Sequence, residues 1–164
     1  HERPAAPGTS RVFLSYRRED SAYVTDRISE RLMERFGRDA VFKDVDSIPL
    51  GQDFRKHLRE AVGRCDVLLA VIGRDWFAVD PATGKRRIDD PPDFLRIEVE
   101  SALERDIPVI PVLVQGAPVP EEQQLPESLR PLAYRNAQPV RPDPDFKNDL
   151  NRLMQGIEAQ LKRS

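Results

Sequence analysis

The segment "DVLLAVIG", residues 66–73, constrains the fold more than any other part of this chain, because Val67 to Ile72 are apolar without a break. Strict alternation would mark a strand with one wet face. An unbroken apolar run of strand length marks a strand covered on both faces, as in the middle of a parallel sheet. Helices must then lie on either side, so helical and extended patterns should alternate along the chain.

They do. "RVFLSY" (11–16) is a β-like run, followed by Tyr23/Val24, Ile28, Leu32 and Phe36 at helical spacing, with Gly37 as a stop. "AVFKD" (40–44) predicts a second strand, and "DVDSIPLGQD" (44–53) a loop broken by Pro and Gly. Phe54, Leu58, Ala61 and Val62 trace a second helix. After the central run, "RDWFAVDPATGKRRIDDPPD" (74–93) is a polar loop whose length points to function or disorder. "FLRIEVESALERD" (94–106) is helical, with Leu95, Val99, Ala102 and Leu103 inward. "IPVIPVLV" (107–114) predicts another buried strand, its prolines placing it at a strand start or a sheet margin. "LPESLRPLA" (125–133) is at most a short helix, and "YRNAQPV" (134–140) a weak edge strand. The last helix is expected to open with Asp143 as N-cap and Pro144 in its first turn, with Phe146, Leu150, Leu153, Ile157 and Leu161 as its apolar face. The expectation is a three-layer α/β sandwich with right-handed crossovers. In such a sheet, ligands bind at the carboxyl ends of the strands, near the switch in strand order. That edge holds residues 16–20, 44–51 and the loop after Gly73.

Composition narrows the partners. The 164 residues fit one domain. A formal net charge of -2 supplies no field for nucleic acid or anionic lipid, and no apolar stretch reaches membrane-spanning length. Neither nucleic acid nor membrane is expected as a partner. The single cysteine, Cys65, forms no intramolecular disulfide, which points to a reducing, cytoplasmic compartment. His1 and His57 make no metal site with it at any recognised spacing, and His57 reads as a surface residue of a helix. No metal and no resident cofactor is expected. Residues 1–9, polar and rich in Pro, read as linker or cloning remnant and 10–164 as the domain, expected to be part of a longer protein.

Four boxes, in order, resemble one family. "RVFLSYRRED" looks like the first-strand box of TIR (Toll/interleukin-1 receptor) domains, and its "SYRR" like that of the bacterial-type, NAD-cleaving branch. "VFKDVDSIPLGQDF" resembles the second strand and BB loop, "DVLLAVIGRDW" the third strand, and "DFLRIEVESALERDIPVIPVLV" the following helix and fourth strand. The resemblance implies a flavodoxin-like, five-stranded parallel sheet ordered 2-1-3-4-5. It also implies an NAD glycohydrolase that yields nicotinamide and linear or cyclic ADP-ribose. NAD is then substrate, other TIR protomers are partners in an oligomer or filament, and the setting is an immune or toxin effector.

The family's WxxxE pattern reads here Phe94-Leu95-Arg96-Ile97-Glu98, so the resemblance makes Glu98 catalytic and puts Phe94 in the place of Trp. Helical geometry independently sets Phe94 and Glu98 on one face and turns Glu100 away. The alternative for Glu98 is an exposed acid paired with Arg96 or a neighbour. The resemblance further implies that Tyr16, Arg17 and Arg18 line the pocket, with an arginine for the diphosphate. Their alternative is a packed Tyr beside two solvated arginines. Asp44, Asp46, Leu50 and Gly51 belong to the BB loop, where Gly51 is expected to permit a turn. Phe54 is helix core or, as a second choice, a pocket edge. Trp76 is a packing anchor or a substitute for the ring area lost at Phe94. Lys85, Arg86 and Arg87 are solvated or meet phosphate. A non-catalytic adaptor working through TIR–TIR contacts is the rival function, and the substitution at Phe94 favours it. A phosphoacceptor receiver fits less well, because its Asp follows the third strand, where this chain has Gly73.

Overall fold

The structure, a computed structural model, describes residues 11–43 and 48–163. Five parallel strands form one sheet: β1 (Val12–Ser15), β2 (Val41–Lys43), β3 (Val67–Ile72), β4 (Val109–Leu113) and β5 (Gln138–Pro139). Their order is β2-β1-β3-β4-β5, the 2-1-3-4-5 arrangement expected from the sequence. β3 is central and buried at all six positions, in register with β1 (Val12↔Val67) and β4 (Leu68↔Val109).

Side-chain alternation along these strands builds two cores. Val12, Leu14, Leu69 and Val71 face α1 (Arg18–Phe36) and α4 (Phe146–Arg163), meeting Ile28, Leu32, Phe146, Leu150 and Ile157. Phe13, Leu68, Ala70 and Ile72 face the other way. They meet Val62 of α2 (Phe54–Gly63), Leu95, Val99 and Ala102 of α3 (Phe94–Glu104), and Trp76 and Ile88 of the long loop. Fully burying each such leucine or isoleucine stabilises the fold by about 1.5–3 kcal/mol.

Three details differ from the sequence reading. Tyr23 is 79% exposed, because Val24, one position round the helix, takes the inward place beside Ile28. β4 is interior to the sheet rather than at its margin. It accommodates Pro111 because β5 is only two residues long and pairs with Val112 and Leu113 alone, so no ladder bond is required of Pro111 on that side. The last helix starts at Phe146. Asp143 and Pro144 lie in a turn closed by the Asp145 N–H donating to the Pro142 carbonyl (3.0 Å), and so do not cap the helix.

The long polar loop is built, not extended. The Asp80 and Lys85 backbones close a turn, Val79 and Arg86 form an antiparallel bridge, and Ile88 anchors the return in the core. Its far end carries Asp93, the N-cap of α3, whose side chain accepts the Arg96 N–H at 3.1 Å.

Candidate active site

The end of β1 and the start of α3 converge at the carboxyl edge of the sheet. A cleft of about 650 Å³ lies between them, its walls supplied by Tyr16–Glu19, by the loop residues Asp80, Arg87, Asp90, Pro92 and Asp93, and by Phe94, Leu95 and Glu98. Phe94 and Glu98, one helical turn apart, do line the same space. They meet it differently: Phe94 is 47% exposed, whereas Glu98 is 6% exposed.

Glu98 is not a solvated helix acid. Arg96, its expected alternative partner, is taken by Glu100 (Nε–Oε2 2.7 Å) and by the Ile88 carbonyl (3.2 Å). Glu98 Oε1 instead accepts a 2.7 Å hydrogen bond from the hydroxyl of Ser15, the last residue of β1. A buried carboxylate without such a donor is costly, so the contact explains how an acid persists at the margin of an apolar layer.

Tyr16, Arg17 and Arg18 all line the cleft, as expected. Arg17, however, is buried and makes a two-pronged pair with Asp93 (2.9 and 3.1 Å). Both of its Nη atoms thus serve the α3 N-terminus in this arrangement. Arg18, the first residue of α1, is exposed. Arg87 also reaches the cleft and pairs with Glu19 at 3.0 Å, while Arg86 is tied to Asp89 by two 2.8 Å bonds. Five carboxylates (Glu19, Asp80, Asp90, Asp93, Glu98) face three arginines (Arg17, Arg18, Arg87), so the lining is acidic on balance.

The remaining expected residues divide. Phe54 is half-buried and absent from the cleft lining, but it stacks on Phe94 with ring centroids 5.3 Å apart. Leu50 is fully exposed, and Gly51 has φ +81°, the turn that favours glycine. Asp44 and Asp46 lie outside the described residues. Trp76 is 1% exposed, packed edge-on against Phe77 at 5.1 Å, and absent from the cleft lining. It is the packing anchor, because the loop folds it under Ile88 into the core facing α2 and α3. His57 is half-buried beside an opening of about 160 Å³ that Cys65 also lines. Burial pushes the Cys65 thiol up to about 12, which leaves it unreactive at neutral pH.

The sequence reading missed Ser15 and Asp93. Ser15 had a signal: it stands two residues after Phe13 and so shares its face of the strand. Asp93, immediately before an apolar helix, has the N-cap signature.

Comparison with known proteins agrees with this architecture. No curated protein sequence matches the chain. Among solved structures, 34 chains match. One is the TIR domains of the activated Roq1 resistosome that directly recognises the pathogen effector XopQ. It is 16% identical with a TM-score of 0.61, covering 90% of this chain and 99% of that one, a likeness of fold. A family model described as TIR domain matches residues 12–154, from the first residue of β1 into α4. With the greater part of the chain matched and the sheet order in agreement, this chain belongs to the TIR domain family.

Proposed function

We propose that this domain is an NAD glycohydrolase of the bacterial-type enzymatic branch, releasing nicotinamide and a linear or cyclic ADP-ribose. The observation that carries the reading is the joint placement of buried Glu98 and exposed Phe94 on one cleft. Cleavage of the nicotinamide–ribose bond passes through an oxocarbenium-like state, as glycoside hydrolysis does. Nicotinamide leaves as a neutral molecule, so a general acid is not needed. What the site must supply is negative charge near the ribose, in surroundings where water does not screen it. Glu98 supplies it, and the acidic balance of the lining works in the same direction. Phe94, extended by Phe54, offers a ring surface for the ligand. Arg17 and Arg18 both line the cleft, where the planar fork of an arginine suits the diphosphate. We place the domain in the cytoplasm, as the effector part of a longer immune or toxin protein acting through assembly of its own copies.

The rival reading is a non-catalytic adaptor. The full exposure of Leu50, an apolar side chain available to a partner, favours it. One experiment separates the two: concentrated protein is incubated with NAD and nicotinamide is followed by chromatography. Release that disappears in Glu98→Gln supports the hydrolase. No release at any concentration leaves the adaptor.

A further inference from the structure

Two buried polar residues meet where the layer between the sheet and α3 reaches the cleft. On this side of β1, Phe13 is core and Ser15, two residues on, is the polar end of the same row. Ser15 is 1% exposed and paired in register with Ala70 of β3, so its backbone is fixed within the sheet. From there its Oγ donates to Glu98 Oε1 at 2.7 Å, a contact between residues 83 apart in sequence. On α3, Leu95, one turn before Glu98, and Val99, the next residue, are buried in the apolar layer on this side of the sheet.

We propose that Ser15 is a positioning residue for the Glu98 carboxylate. It acts through Glu98, and the inference rests on reading Glu98 as the group that faces the ribosyl cation. A glutamate has three rotatable side-chain bonds, and without a tether its charge would sample several places. The hydroxyl fixes one oxygen from a rigid strand, and a donor aimed at a carboxylate favours the ionised form that the reaction needs. β1 thus contributes a buried donor to a carboxylate carried by α3, and neither element alone sets the geometry.

The test is steady-state nicotinamide release by wild type, Ser15→Ala, Ser15→Thr and Glu98→Gln, each across pH 4–9 (roughly the span of carboxylate and histidine titration). Ser15→Ala removes one oxygen and leaves the strand intact. It should lower kcat about ten- to a hundredfold, the scale of a hydrogen bond to a charged group. KM should change by less than about twofold, and the acid limb of kcat should move to higher pH, because one donor that favours the ionised carboxylate is gone. Ser15→Thr restores the hydroxyl with a β-branched side chain suited to a strand, and should return the acid limb toward the wild-type position. Wild-type kcat and acid limb in Ser15→Ala would overturn the proposal. So would a fall in kcat that follows a lowered Tm with the acid limb unmoved, since that marks a packing role. The parent reading fails separately: Glu98→Gln would then keep wild-type turnover, whatever Ser15 does.

Discussion

Arg17 and Asp93 are joined by two parallel bonds, Nη1–Oδ1 at 2.9 Å and Nη2–Oδ2 at 3.1 Å, across 76 positions of sequence. The pair clamps the N-cap of α1, two residues after β1, to the N-cap of α3, and so ties together the elements that carry Ser15 and Glu98. Asp93 does two things at once. It neutralises a buried guanidinium and accepts the Arg96 N–H that opens the helix.

Removing one partner from such a pair leaves a buried charge without compensation. Asp93→Ala is therefore expected to cost about 3 kcal/mol or more in urea unfolding, against less than about 1 kcal/mol for Arg86→Ala at the exposed Arg86–Asp89 pair. Arg17→Lys should also destabilise clearly, because an ammonium cannot reproduce the fork. Equal midpoints for all these variants would show that the pair carries no such burden.

Glu98→Gln keeps the size of the side chain and its capacity to accept from Ser15, but removes the charge. Nicotinamide release should fall by at least about a hundredfold with Tm nearly unchanged. Phe94→Ala should lower it about two- to tenfold, the scale of one ring contact, and Phe94→Trp should hold or raise it. Identical rates for the three residues at position 94 would remove that ring from the substrate's surroundings.

Gly73, directly after β3, is closed to any side chain. A Cβ built there would lie 2.3 Å from Asp20 Oδ2 and 2.7 Å from Asp20 Cγ. Asp20 cannot swing aside cheaply, since its Oδ1 accepts the Asp75 N–H at 2.9 Å. Gly73→Ala should therefore destabilise by about 1–3 kcal/mol, and the cost should shrink in an Asp20→Ala background. Strict additivity of the two changes, measured by denaturant unfolding, would contradict the contact.

Activity should rise faster than linearly with protein concentration, so that specific activity increases. The cleft lies open at the sheet edge, and a neighbouring copy across it would exclude water from around the bound ribose. Leu50→Arg, which places charge on the fully exposed loop residue, should flatten the dependence. A hundredfold dilution series tests this. Constant specific activity in the wild type would mean that each copy holds a complete site.

Arg141 donates through its side chain and backbone to Asp149, and these bonds hold the Asp149 carboxyl down to about 2. A carboxyl whose folded value lies below its unfolded value of about 3.9 stabilises the fold fully above that value. The contribution is lost as pH falls toward 2. Asp149→Asn should accordingly lower Tm at neutral pH, and the gap to wild type should close as the pH drops from about 4 towards 2. A gap that stays constant with pH would show that the carboxylate charge is not its source.

The sequence alone determined the layers. The unbroken apolar run of β3 required cover on both faces, and the helical stripes of α1, α2, α3 and α4 supplied it, because burial of periodic apolar surface is a local property of the chain. The one-turn spacing that sets Phe94 and Glu98 on a common face was legible for the same reason. The turn at Gly51 was legible too, since its positive φ is a demand on one residue. What the sequence could not show was which polar groups answer one another across the fold. Arg96 beside Glu98 in sequence pairs with Glu100, whereas Ser15, far away in sequence, reaches Glu98. Arg17, one of two adjacent arginines with no local mark to distinguish them, is claimed by Asp93. Ile88 looks like part of a solvated loop until the loop folds back on the core, beside the packing anchor Trp76. A hydrogen bond depends on distances of a few tenths of an ångström between elements, and the packing of the sheet against α3 sets those distances.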